Sequence, residues 1–154
     1  MKNKKNSKSI RRILLPVDMT KASEDALSFA VMLSRKCSAR LYVLHVVETK
    51  GEAAGSYLPH ISFDELDLEM KEAAEAMLGK FASRLLRGVK NAELRLVEGV
   101  PYKEITKFAA RSGIDMIVMG TFGGTRAARF VFGSTTEKVM RLSGCPVLIV
   151  PPER

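Results

Sequence analysis

Short apolar runs alternate with longer amphipathic runs along most of the chain. The runs RILLPV (Arg12–Val17) and RLYVLHVVE (Arg40–Glu48) are rich in branched and aromatic residues, and each predicts a buried strand. The run AELRLVEG (Ala92–Gly99) alternates apolar and polar positions, which predicts a strand nearer an edge of the sheet. The runs DMIVMG and CPVLIVP, residues 115–120 and 145–151, predict the fourth and fifth strands.

Four amphipathic segments separate the predicted strands. The first follows the candidate caps Thr20 and Ser23, and the second, the longest, covers residues 63–87. The third begins at Pro101, a residue that suits the first turn of a helix, and the fourth covers Ser134–Leu142. Each strand is thus followed by a helix until the last strand ends the series.

This alternation predicts the fold class. Parallel strands need a helical crossover, and strands covered on both faces read as near-continuous apolar runs. The pattern therefore predicts a single doubly wound α/β domain with an open parallel sheet and helices on both faces. We assign residues 11–154 to this domain and residues 1–10 to a flexible basic tail.

Composition agrees with one globular domain in the cytoplasm. The chain has 154 residues, 46% of them hydrophobic and 27% charged. No apolar run reaches the roughly 20 residues that span a bilayer, and no secretory signal follows the basic start. We expect Cys37 and Cys145 to be reduced and mostly buried, and we expect no membrane association.

The net charge of +8 is concentrated at the start of the chain. Six basic residues lie in the first twelve positions, so a solvated tail is the simplest interpretation, with non-specific attraction to nucleic acid or anionic lipid as the alternative. No zinc-finger spacing, RNA-binding aromatic motif or leucine heptad indicates specific nucleic-acid binding. The six residues are Lys2, Lys4, Lys5, Lys8, Arg11 and Arg12.

Candidate chemistry lies where strands end. In a doubly wound sheet ligands bind outside the carboxyl ends of the strands, so Asp18 and the glycine-rich stretch MGTFGGTRAARFVFGST (residues 119–135) should meet there. Backbone N–H groups and a helix N-terminus favour an anion at such a loop. Structural alternatives remain for each residue: Ser134 and Glu137 form a capping-box pattern, and Asp18 suits a helix cap or a solvent-facing position. The common phosphate-loop and dinucleotide fingerprints are absent.

The chain resembles the universal stress protein family over essentially its whole length beyond the tail. The resemblance is carried by RRILLPVDMTKASEDAL, LYVLHVVE and DMIVMGTFGGTRAARFVFGSTTEKVMRLSGCPVLIV. The glycines at positions 120, 123 and 133, followed by a hydroxyl, match the pattern of the ATP-binding members. The resemblance implies a sheet order of 3-2-1-4-5, a homodimer through the last strand, Val147–Val150, and an adenine nucleotide as ligand.

The resemblance also implies roles for individual residues. Asp18, with Pro16 and Val17, would contact adenosine, and Val46 would meet adenine through its backbone. Phe122 stands where the family often has a polar or basic residue, as does Gly124, while Arg126 and Arg129 lie nearby. ATP, ADP, AMP and adenosine therefore all remain open as ligands, with or without Mg²⁺. The implied set is completed by Met119 and Gly120 at the ribose and by Gly123, Gly133, Ser134, Thr135 and Thr136 at the phosphates.

Three functions are compatible with these residues. The first is a nucleotide-binding stress or signalling module with slow or no ATP hydrolysis, because no general base or metal cluster is apparent. The second is a nucleotide-free dimeric interaction protein whose glycines are structural. The third, an ATP-consuming enzyme of related architecture, is disfavoured because the segment after the first strand lacks a Ser-Gly-Gly loop.

Overall fold

The computed structural model describes residues 9–48, 63–121 and 132–151, and of residues 63–67 it describes the backbone only. Five strands and four helices alternate in these ranges, as the sequence predicts. Three elements have different boundaries: the second helix ends at Leu85 rather than at residue 87, the fourth strand begins at Met116 rather than at residue 115, and the fifth covers Val147–Val150 rather than residues 145–151. Gly88, with φ of 80°, lies in the turn after the second helix. The elements are β1 Arg12–Val17, α1 Lys21–Cys37, β2 Arg40–Glu48, α2 Phe63–Leu85, β3 Ala92–Gly99, α3 Pro101–Arg111, β4 Met116–Gly120, α4 Ser134–Leu142 and β5 Val147–Val150.

All five strands form one parallel sheet in the order β3-β2-β1-β4-β5, which confirms the predicted fold class and strand order. β1 is central, and the crossover direction changes between β1 and β4. β3 and β5 are the two edge strands, as their patterns and the family resemblance predict. The carboxyl ends of β1 and β4 are neighbours, so the segments that follow them meet at one edge of the sheet.

Helices cover both faces of the sheet. On one face α1 and α2 pack on β1 and β2 through a core that includes Ala26 and Phe81. On the other face α3 and α4 pack through a second core that includes Ile105 and Val139. The prediction of mostly buried cysteines is wrong for Cys37, which ends α1 and is exposed; Cys145 is half-buried, and both thiols are free.

Helix α1 begins as the sequence predicts. Thr20 is the N-cap, and its side chain accepts a hydrogen bond from the Ser23 backbone N–H. None of the helices in the described ranges is long and apolar enough to cross a membrane.

Candidate functional site

One cleft, of about 450 Å³, lies at the carboxyl ends of β1, β2 and β4. Its volume falls within the range of about 300–1,000 Å³ that small-molecule sites occupy. The structure brings ten of the predicted site residues to its walls, whereas Phe122 and Gly123 lie outside the described residues. The ten are Pro16, Val17, Asp18, Val46, Met119, Gly120, Gly133, Ser134, Thr135 and Thr136.

The turn after β1 folds Asp18 back onto the start of α1. Met19 adopts a left-handed conformation, with φ of 64°, which costs a non-glycine residue on the order of 1–2 kcal/mol. Asp18 Oδ1 then accepts hydrogen bonds from the Thr20 N–H (3.0 Å), the Thr20 hydroxyl (2.6 Å) and the Ser23 hydroxyl. Asp18 therefore belongs both to the cap network of α1 and to the cleft wall.

These bonds leave half of the carboxylate available. Every hydrogen bond that Asp18 receives from the described residues goes to Oδ1, and Oδ2 receives none. Burial raises the pKa of Asp18, but the hydrogen bonds from Ser23 and Thr20 outweigh it and hold the pKa below the usual 3.8. The group is therefore an ionised acceptor at neutral pH, with one oxygen fixed and the other able to accept from a ligand.

The Ser23→Ala variant tests this network. Removing the hydroxyl donor should raise the pKa of Asp18 toward 3.8, as measured by an NMR titration of its carboxyl carbon. A lowered folded-state pKa contributes stability above pH 3.8 that is lost as the pH falls. The stability difference between the wild type and the variant should therefore shrink below that pH. Ser28→Ala, an exposed change on α1, is the control; an equal Asp18 pKa in all three proteins would contradict the assignment.

The first turn of α4 lies at the cleft and carries backbone N–H donors that have no partner among the described residues. Gly133 is the N-cap and makes no side-chain cap bond, so the capping-box interpretation of Ser134 and Glu137 is wrong. The first bond within the helix runs from the Glu137 N–H to the Gly133 carbonyl at 3.0 Å. The N–H groups of Ser134, Thr135 and Thr136 consequently have no partner within the helix, and the positive end of the helix dipole lies among them.

The first turn of α4 packs closely against the end of β4, and the end of β4 packs closely against the start of α1. The Thr136 hydroxyl donates to the Gly120 carbonyl at 3.4 Å, and Thr136 is buried. A Cβ added at Gly120 would lie 2.4 Å from the Ala22 carbonyl oxygen and 2.7 Å from its carbon. Gly120 is thus required by backbone packing between β4 and α1, whatever else it does in the cleft.

The remaining walls of the cleft are largely apolar, and residues that the sequence analysis did not select complete them. Pro101 and Ile105 come from α3, and among the described residues no lysine or arginine lines the cleft. Apolar lining residues such as Pro101 and Ile105 carry no chemical motif, so only their positions in the predicted elements could have indicated them. The additional lining residues are Thr20, Ala22, Ser23, Leu44, His45, Glu48, Pro101, Ile105 and Thr121.

Two of these additional residues have distinctive polar groups. His45 Nδ1 lies 2.8 Å from the Val17 carbonyl oxygen. A carbonyl only accepts, so Nδ1 carries the proton and Nε2 is the free acceptor of the neutral ring. The Thr121 hydroxyl is buried and has no hydrogen-bond partner in the described part of the chain, a costly arrangement unless something bound in the cleft supplies one.

Comparison with known proteins gives one consistent family. The model of the family described as the universal stress protein family matches residues 9–151. The chain is 32% identical over 141 residues to universal stress protein MJ0531 of Methanocaldococcus jannaschii, covering 91% of this chain and 81% of the relative. It is also 32% identical over 144 residues to universal stress protein YxiE of Bacillus subtilis, covering 90% of this chain and 97% of the relative.

Solved structures share the architecture. The chain is similar to the structure of MJ0577 of M. jannaschii, with a TM-score of 0.77 and 27% identity over 95% of this chain and 99% of that one. A universal stress protein in complex with cAMP has a TM-score of 0.71 at 22% identity over 94% and 99% of the two chains. One from Archaeoglobus fulgidus in complex with dAMP has a TM-score of 0.64 at 24% identity over 92% and 98%. At such identities the last two comparisons establish the fold alone.

Proposed function

We propose that this chain, which belongs to the universal stress protein family, binds an adenine nucleotide in the cleft and acts as a nucleotide-dependent stress or signalling module. The observation that carries the proposal is the convergence of an ionised carboxylate, an apolar wall and unpaired helix N–H groups in one cleft. Two structures of the same fold were solved with the adenine nucleotides cAMP and dAMP, which supports an adenine ligand.

The two halves of the cleft fit the two halves of a nucleotide. Pro16, Val46 and Ile105 line the apolar half, which suits a flat adenine ring, and Asp18 Oδ2 can accept from a ribose hydroxyl or an exocyclic amine. The start of α4 offers its unpaired N–H groups and dipole to phosphate oxygens. This assignment makes the matched residues Gly133 and Ser134 phosphate-binding.

The residues that line the cleft also bear on how many phosphates the ligand carries and on whether they are hydrolysed. The described walls contain no basic side chain, so the backbone of α4 supplies the attraction for the first phosphates. We therefore propose ATP, ADP or AMP as ligand, with Mg²⁺ optional and hydrolysis slow or absent. His45 is the one histidine among the described cleft residues, and its Nδ1 donates to the Val17 carbonyl, which leaves Nε2 as the ring nitrogen that can accept from a ligand.

The nucleotide carried by purified protein tests the proposal. Protein isolated under native conditions and then denatured should release an adenine nucleotide that mass spectrometry identifies. Ser134→Asp protein isolated in parallel should release much less, because a carboxylate would occupy the anion position. Equal amounts from both proteins, or none from the wild type after incubation with ATP and desalting, would contradict nucleotide binding in this cleft.

The alternative, a nucleotide-free protein with structural glycines, rests on Gly120. Its contact with Ala22 explains that glycine without any ligand. The same explanation does not extend to Asp18 Oδ2 or to the unpaired N–H groups of α4, which is why we place nucleotide binding first.

We further propose a homodimer through β5. The Ile117 N–H donates to the Pro146 carbonyl and the Thr121 N–H donates to the Val150 carbonyl, so Pro146 and Val150 direct their carbonyl groups toward β4. Ile149, at the alternate position, therefore directs its N–H and carbonyl toward the free edge of the sheet. An apolar edge strand that ends a sheet favours pairing with a second copy across a two-fold axis.

The Ile149→Pro variant is expected to be monomeric. Proline removes the outward N–H while leaving the β4 pairing groups of the neighbouring residues in place, and edge strands tolerate it. Ile149→Val, which keeps the N–H, should remain dimeric. Light scattering at micromolar concentration measures both; a monomeric wild type, or a dimeric proline variant, would contradict pairing through this strand.

A further inference from the structure

The amino-terminal edge of the sheet, opposite the cleft, carries a concentration of positive charge. Eight exposed basic residues lie there, at the strand starts, at the ends of α1 and α3 and in the turn after α2, apart from Arg84 and Arg141, which pair with Glu24 and Glu137. The acidic residues of the same turns and strand starts are Asp115 and Glu93. We call this surface the basic edge, and it consists of Arg11, Arg12, Arg35, Lys36, Arg40, Arg87, Lys90 and Arg111.

Backbone hydrogen bonds place these segments side by side. The Arg40 N–H donates to the Arg11 carbonyl at 2.8 Å, and the Leu41 N–H donates to the Asn91 carbonyl at 2.9 Å. The Arg12 side chain reaches the Ser112 carbonyl at 3.1 Å, which joins the end of α3 to the start of β1. These bonds place the start of β1, the start of β2, the turn before β3 and the end of α3 next to one another along one edge of the sheet.

The two acids do not neutralise this surface. Asp115 Oδ2 accepts hydrogen bonds from the backbone N–H groups of Arg11 and Arg12, at 2.8 and 2.9 Å. Asp115 forms no ion pair with the guanidinium group of either arginine. Glu93 is shared between Arg40, at 3.6 Å, and Arg95 of β3. Within the described residues, Lys36, Lys90 and Arg111 have no ion pair.

Helix dipoles account for only part of the basic edge. Arg35 and Lys36 lie in the last turn of α1 and Arg111 in that of α3, where cations complement the negative helix end. The residues at strand starts and in the α2–β3 turn, such as Arg40 and Lys90, complement no helix end.

We propose that the basic edge binds the phosphate backbone of double-stranded nucleic acid without reading its sequence. Arginine and lysine suffice for such contacts, because phosphate neutralisation and counterion release supply the affinity. The turns that carry these eight residues expose no aromatic side chain for stacking on unpaired bases and no large apolar side chain for insertion into a lipid surface. This partner is separate from the cleft and independent of the nucleotide proposal.

Binding of a labelled 24-base-pair DNA of arbitrary sequence, followed by fluorescence anisotropy at 50 to 200 mM salt, tests the proposal. The wild type should bind with a steep salt dependence. Lys36→Gln with Lys90→Gln should reduce the slope of log affinity against log salt by about 2, because each neutralised phosphate accounts for roughly 0.9 of that slope. Lys103→Gln with Lys138→Gln, the same charge change near the carboxyl edge, should leave the slope unchanged.

Three results would overturn the proposal. One is the absence of DNA binding at 50 mM salt, and another is an equal effect of both lysine pairs, which would indicate diffuse attraction. The third is binding to phosphatidylserine vesicles without binding to the DNA, which would assign the edge to an anionic membrane.

Discussion

The Ser134→Asp variant is expected to bind ADP and ATP about a hundredfold or more weakly than the wild type, without a loss of folding stability. Ser134 is the first residue of α4, is exposed at the cleft and makes no cap bond with the described residues. A carboxylate there would compete for the unpaired N–H groups and would repel phosphate at close range, at a cost of several kcal/mol. The same charge should stabilise the helix by about 0.3–1 kcal/mol, because it lies at the positive end of the dipole.

The opposite signs of these effects separate binding from folding. Calorimetric titration and urea unfolding should show weaker nucleotide binding together with equal or greater stability. Adenosine, which lacks phosphate, should keep its affinity. Ser28→Asp places the same charge on an exposed position of α1 and should change neither quantity much. Undiminished ADP affinity in Ser134→Asp would remove the start of α4 from the site.

The Gly120→Ala variant is expected to destabilise the protein by roughly 1–3 kcal/mol, the usual cost of overpacking. The added methyl group would lie 2.4 Å from the Ala22 carbonyl oxygen. That oxygen belongs to the backbone, so it cannot rotate away as a side-chain atom could. The junction between β4 and the start of α1 would have to separate, which also displaces the cleft wall.

Gly79→Ala is the matched control and should act in the opposite direction. Gly79 lies within α2, and a Cβ there meets nothing within 4 Å. Alanine should therefore stabilise the helix by about 0.5–1 kcal/mol. Urea unfolding measures both variants; a Gly120→Ala protein as stable as the wild type would show that this glycine is not needed for packing.

The sequence predicts the elements of this fold well because their signals are local. Apolar runs such as Arg12–Val17, the proline at position 101 and the glycine at position 88 each act within a few residues. The strand order is not local, because it depends on which face each crossover covers. The family resemblance, rather than the hydrophobic pattern, supplied the order that the sheet has.

The candidate site was predictable at its motif positions and not beyond them. The alternation between strands and helices brings Asp18 and Ser134 to the same edge, but the pattern Ser134-x-x-Glu137 suggested a capping box that the structure does not form. A cap depends on backbone angles at one residue, and Gly133 takes that position instead. Walls such as Pro101 and Ile105 depend on the packing of α3, which no motif encodes.

The role of Asp18 illustrates why a single residue had two interpretations. Its sequence position suited either a helix cap or a ligand contact, and the left-handed turn at Met19 places it both in the cap network of α1 and in the wall of the cleft. One carboxylate oxygen is held by Thr20 and Ser23, which orients the other. A sequence pattern does not distinguish the two oxygens of one side chain, so only the folded geometry separates these roles.

Isothermal titration of the wild-type protein with ADP, in parallel with GDP, tests the central claim most directly. We predict saturable binding of ADP at one site per chain, weaker binding of GDP, and loss of the ADP signal in Ser134→Asp. Absence of ADP, ATP and AMP binding at millimolar ligand, by a protein that unfolds cooperatively, would contradict an adenine-nucleotide site in this cleft.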